Sequence, residues 1–91
     1  MTHIIKLRKD FEQPILNGTK NFEIRKNDRG YQKGDLVQFL VVDEAQVYMD
    51  GNLVPEASEL NDKWFEITYV LSGWGLQEGY VAFGIKEVYP I

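Results

Sequence analysis

Gly18-Thr19-Lys20-Asn21-Phe22-Glu23-Ile24-Arg25-Lys26-Asn27-Asp28-Arg29 is the stretch whose reading decides the fold. From Asn21 to Arg25 polar and apolar side chains alternate with the two-residue period of a strand. The alternation predicts that Phe22 and Ile24 face a core while Asn21, Glu23 and Arg25 share the opposite face. A carboxylate and a guanidinium then stand side by side. Lys20 leaves a glycine-marked turn just before them, and Lys26-Asn27-Asp28-Arg29-Gly30 ends the strand with strong turn formers.

Upstream, Thr2–Arg8 reads as a strand, with Ile4 and Ile5 followed by alternation through Lys6, Leu7 and Arg8. A short helix should follow, capped by Asp10, with Phe11, Ile15 and Leu16 as its apolar stripe and Asn17-Gly18 as its stop. Pro14 is tolerated there because it lies in or near the first turn. Downstream, residues 36–42 form an apolar, β-rich strand expected to be buried on both faces for part of its length. Residues 43–62 read as an insertion, with a hairpin turning at Asp50-Gly51, an acidic loop and room for a short helix around 56–60. Two aromatic strands, 64–71 and 79–89, close the chain on either side of the loop Ser72–Glu78. About five to six strands, one or two short helices and no βαβ alternation predict a mixed α+β, mainly β fold. The expected form is one small barrel spanning residues 1–91.

Ninety-one residues suffice for one modest core. Without cysteine there is no disulfide framework and no thiolate nucleophile or ligand, which favours a cytoplasmic setting. No apolar run is long enough to span a membrane. The net charge of −4 argues against a general nucleic-acid coat. Its distribution is uneven: residues 6–33 hold eight basic against four acidic side chains, a balance of +4, and the rest of the chain carries −8. That suits a local basic patch for a few phosphates on an acidic body.

Most catalytic patterns are missing. His3 is the only histidine, so paired-histidine metal sites and two-histidine acid–base schemes are excluded, and no cofactor is expected. Placed near the start of the first strand, His3 could line a cleft mouth. Glu66 and Glu78 lie near strand ends from which a carboxylate could reach back to the Lys20–Arg25 cluster. Trp74, between Gly73 and Gly75, is placed to stack on a base, and Tyr31 and Tyr80 are similar candidates.

Residues 18–25 fit the G-x-K-x-x-E-x-R motif at all four fixed positions and so resemble the ASCH domains, a branch of the PUA-like superfamily. His3, Lys6-Leu7, Phe22–Arg29, Gly34-Asp35, Ile67–Leu71 and Gly79–Val81 together resemble an uncharacterised PUA-like family common in phages and bacteria. The resemblance implies a β-barrel with a cleft beside the motif, and a single-stranded RNA, nucleotide or modified nucleoside as ligand. It assigns Lys20, Glu23 and Arg25 to that cleft, with Asn27 and Arg29 extending its polar rim. Arg25 would make a bidentate contact to a phosphate or base edge, with Lys20 as a point charge. Glu23 would accept from a base amino group or hold Arg25 in place.

Some ASCH proteins of similar size use lysine, threonine and glutamate to hydrolyse the amide of an acylated cytidine. Here Glu23 stands where that threonine would fall, and Thr19 and Thr68 match no position of the pattern, so an amidohydrolase would have to use Lys20 and Glu23. A third possibility is an interaction module of phage or mobile-element origin that docks on a protein partner through its acidic face.

Overall fold

A computed structural model describes residues 1–89, and in it the apolar alternation of the chain becomes six strands. These are β1 (Thr2–Arg8), β2 (Phe22–Lys26), β3 (Leu36–Val47), β4 (Leu53–Pro55), β5 (Trp64–Ser72) and β6 (Tyr80–Val88). The last two residues of the expected domain lie outside the described residues. One short helix, α1 (Glu12–Leu16), follows a 3-10 turn at Lys9–Phe11, and a second such turn spans Glu59–Asp62. Asp10 does not cap the helix as expected. It sits inside the 3-10 turn, where its carboxylate accepts from Arg8 at 3.0 Å.

The strands form one sheet in the order β1-β3-β5-β6-β2, with β4 paired to the far end of β3. β1 and β3 run parallel, from Thr2 beside Leu36 to Arg8 beside Val42, and the remaining pairs are antiparallel. The barrel expected from sequence is not closed. β1 and β2 form the two edges of the ordered path, with no backbone ladder between them. The sheet nevertheless curls far enough for side chains of β2 and its following turn to reach β1 carbonyls.

The core lies inside this curl. Ile5 and Leu7 of β1, Val37, Phe39 and Val41 of β3, Phe65 and Ile67 of β5, and Val81, Phe83 and Ile85 of β6 point inward, covered by Ile15, Tyr31 and Leu60. β3 is buried on both faces only where Val41 and Val42 succeed each other, beside β4. Residues 43–62 are tied to the core: β3 continues to Val47, turns through Tyr48–Asn52 and returns as β4. Leu60 is fully buried, and Asn61 accepts from the Val41 amide at 3.0 Å while donating to the Glu56 carbonyl at 2.8 Å.

His3 does not line a cleft mouth; it is 3% exposed. Its Nε2 lies 2.8 Å from Oδ2 of Asp35, which also accepts from the Gln32 amide at 3.1 Å, while Oδ1 accepts from the Met1 ammonium at 3.3 Å. Burial by itself would raise the Asp35 carboxyl. The hydrogen bonds from His3, Gln32 and the ammonium outweigh it and hold the group below the ordinary carboxylate range.

Two predictions follow from these contacts. Gly84 pairs with Phe22 and Tyr69 beside a bulge in β5, and a Cβ added there would collide with Thr68 Oγ1. Gly84→Ala should cost about 1–3 kcal/mol in denaturant unfolding, and Thr68→Ala in the same chain should recover most of it; an unrelieved loss would place the strain elsewhere. Asp35→Asn should cost about 1–3 kcal/mol at pH 7. Because the folded Asp35 titrates low, its stabilisation is complete above the unfolded value near 3.9 and fades as pH falls through the folded value. The gap between variant and parent should therefore close below about pH 4, and a gap independent of pH would remove Asp35 from the acid response.

Candidate functional site

β6 determines which way β2 faces. Val81, Phe83 and Ile85 are buried, and register places Glu23 opposite Phe83 and Arg25 opposite Val81. Paired residues share a face, so Glu23 and Arg25 point inward while Phe22 and Ile24, 44% and 52% exposed, point out. This is the reverse of the facing expected from sequence, and in a strand one residue of register inverts every side chain.

Glu23 is 4% exposed, and each of its oxygens is held by a cation. Lys20 Nζ lies 2.5 Å from Oε1, and Arg25 Nε donates to Oε2 at 3.1 Å. Lys20 also donates to the Phe22 carbonyl at 2.9 Å and sits over the Phe11 and Phe22 rings, 4.8 and 5.2 Å from their centroids. It is thus a clamped ammonium. Thr19 Oγ1 is directed to Asn17 Oδ1 at 2.7 Å and the Pro14 carbonyl at 3.3 Å.

The two arginines span the gap between the sheet edges. Arg25 Nη2 donates to the Lys6 carbonyl, and Arg29 Nη1 donates to the Ile4 carbonyl at 2.7 Å. Backbone acceptors of β1 that another strand would have paired are satisfied by guanidinium groups instead. Three of the five donor hydrogens of Arg25 have no protein acceptor among the described residues.

Two clefts open along this seam and share Arg25 and Ile24. The first, about 350 Å³, has apolar walls from Leu7, Phe11, Val42 and Leu53 and a charged rim of Lys6, Arg8, Glu23, Arg25 and Glu44. The second, about 270 Å³, is lined by Arg25, Lys26 and Arg29 against the single carboxylate of Asp28, with Tyr31 and Tyr80 as its aromatic members. Burial pushes the Tyr31 phenol up, against the opposing pull of Arg29 and then Arg25, so its hydroxyl keeps its proton at neutral pH.

Lys20 and Arg25 each contact Glu23, and Arg29 lines the second cleft beside Arg25; Lys20 itself lines neither cleft. Asn27 serves the turn: its Oδ1 accepts from the Tyr31 amide at 3.0 Å and its own amide donates to the Gly79 carbonyl at 2.8 Å. Trp74 lines neither cleft; it stands 89% exposed at the tip of the β5–β6 hairpin. Glu66 and Glu78 line neither cleft as well. Sequence reasoning missed the apolar walls, because Leu7, Phe11 and Val42 carry ordinary core and helix signals. The parallel pairing of β1 with β3 is what brings two of them to one mouth. Nor is the whole basic segment one patch, since Lys9 pairs with Glu56 and Arg8 with Asp10 and Glu44. Among the described residues no acidic or histidine cluster could hold a metal ion, and no helix is long and apolar enough to cross a membrane.

Residues 2–85 match the model of a family described as a domain of unknown function, DUF3850. No curated protein matches the chain.

Glu23 neutralises two cations that are themselves largely covered, so removing it strands both. Glu23→Gln should cost about 3 kcal/mol of folding stability. Lys20→Met should cost less, because Arg25 still pairs with the carboxylate. Urea unfolding of both variants checks the order, and equal losses would show that the carboxylate does not join the two cations.

Proposed function

The chain belongs to the DUF3850 family, and we propose that it binds a nucleotide or a short single-stranded RNA in the seam between β1 and β2. The observation that carries this reading is the pairing of two clefts joined at one arginine: one with apolar walls and an aromatic ring beneath a charged rim of Lys6, Arg8, Glu23, Arg25 and Glu44, the other lined by three basic side chains against one carboxylate. A nucleotide has the same division: a flat, largely apolar base beside an anionic phosphate. In this reading the base enters beside Phe11, Leu7 and Val42. The phosphate accepts from the spare donors of Arg25, with Arg29 and Lys26 close by. Glu23 orients Arg25, and Lys20 fixes Glu23.

We also read the curled sheet as an open relative of the ASCH barrel within the PUA-like superfamily. The contacts among the motif's lysine, glutamate and arginine support that kinship. A cytoplasmic setting accords with the lack of cysteine.

The amidohydrolase reading has less support. Each Glu23 oxygen is already engaged by a cation, and the Thr19 hydroxyl is turned to Asn17 and Pro14, so neither is presented to an attacking water or a substrate carbonyl. The protein-docking reading also has less support, because Glu44 and Glu56 of the acidic segment already pair with Arg8 and Lys9.

An amide-shift NMR titration with mononucleotides, N4-acetylcytidine and short single-stranded RNAs tests the proposal. Saturable shifts should centre on residues 6–11 and 20–29. Affinity should fall with a log–log salt slope of about −2, as for two to three neutralised phosphates on a single strand. Arg25→Lys keeps the charge but loses the planar fork, and should weaken binding about tenfold or more. Absence of shifts with every ligand would overturn the reading, and release of acetate from acetylcytidine would replace it with the hydrolase.

A further inference from the structure

We propose a second ligand contact on the outer face of the sheet: a slot for one planar base between Phe22 and Tyr69, floored by the Thr68 hydroxyl where it lies over Gly84. It rests on the nucleotide reading of the seam and deepens it, because a ligand that reaches both places is a single strand of at least two nucleotides.

Cross-strand register places Phe22 and Tyr69 on either side of Gly84, on the face opposite the buried Val81, Phe83 and Ile85. Phe22 is 44% exposed and Tyr69 is 64% exposed. Their strands lie two spacings apart, about 9.5 Å. By that backbone spacing, a ring midway between them would sit about 4.8 Å from each, inside the 4.5–7 Å range of favourable aromatic pairs. Gly84 has no side chain of its own, and the Thr68 hydroxyl takes the space above it, so the floor between the two rings is that hydroxyl. Thr68 Oγ1 lies where a Cβ at that position would point, and so offers a hydrogen-bonding group to the edge of a bound ring.

The slot is continuous with the seam. The next rung of the same face is Ile24, Ala82 and Leu71, and Ile24 lines both clefts. Charge complementarity points to an anionic strand as the occupant: Lys26, exposed and without a carboxylate partner among the described residues, follows Ile24 on the outer face of β2. Aromatic rings on an open sheet face with a basic border suit single strands of any sequence, since every base has a π-face.

The test is fluorescence anisotropy of the full chain with a labelled single-stranded RNA tetranucleotide, set beside NMR affinities for mononucleotides. The tetranucleotide should bind at least tenfold more tightly than a mononucleotide. Tyr69→Ala should remove about tenfold of tetranucleotide affinity and leave mononucleotide affinity unchanged, and Tyr69→Phe should retain the parent value. Equal affinity for both ligands, or a Tyr69→Ala variant that binds the tetranucleotide like the parent, would overturn the slot and leave the seam site standing. Failure of the parent chain to bind either ligand would overturn both. Sedimentation of the parent chain alone gives a further arm: a dimer abolished by Tyr69→Ala would assign this face to a second copy and overturn the proposal.

Discussion

Two arginine side chains hold together what the backbone leaves apart. A five-strand circuit with no ladder between its ends exposes two edges, each a row of unpaired amides and carbonyls. Here Arg25 and Arg29 donate across the gap to the Lys6 and Ile4 carbonyls. A backbone ladder would have filled the gap with hydrogen bonds and left no space for a ligand. Guanidinium groups bridge it at two points and leave clefts of about 350 and 270 Å³ on either side of Arg25. The candidate site is therefore the unclosed part of the fold, and the residues that stabilise it are the ones that line its clefts.

That arrangement explains why a carboxylate is buried in a strand of a small domain. Arg25 must lie across the seam with its fork in one plane, and Glu23 fixes it through Nε. An isolated buried carboxylate would be costly, and Lys20 offsets the cost at the other oxygen while two aromatic rings cover the ammonium. Lysine, glutamate and arginine at these spacings thus form one mechanical unit in which no member can be exchanged without loosening the other two.

Much of this was legible in the sequence, and the exceptions share a cause. The strands were readable because β-branched and aromatic runs alternate between clear turns, and the cluster at residues 20–25 was readable from charge and spacing. The facing of β2 was not. Phe22 and Ile24 look like core residues, and only the pairing with β6 reveals that Val81 and Phe83 already occupy the inside. Closure is illegible for a similar reason, because strand count and pattern are the same whether the last ladder forms or a pair of side chains replaces it. The burial of His3 is equally hidden, because its partner Asp35 lies 32 residues away, a distance that no local pattern spans.

The strand order also sets a timetable. β2 is joined to the sheet only through β6, and β6 comes nearly sixty residues later in the chain. β1 likewise waits for β3 before it has a neighbour. During synthesis at the ribosome the β2 residues of the seam emerge early yet have no strand to pair with until β6 has left the exit tunnel. Assembly of the seam therefore waits for β6, and a chain clipped before β6 would carry the whole motif in its sequence without possessing the clefts.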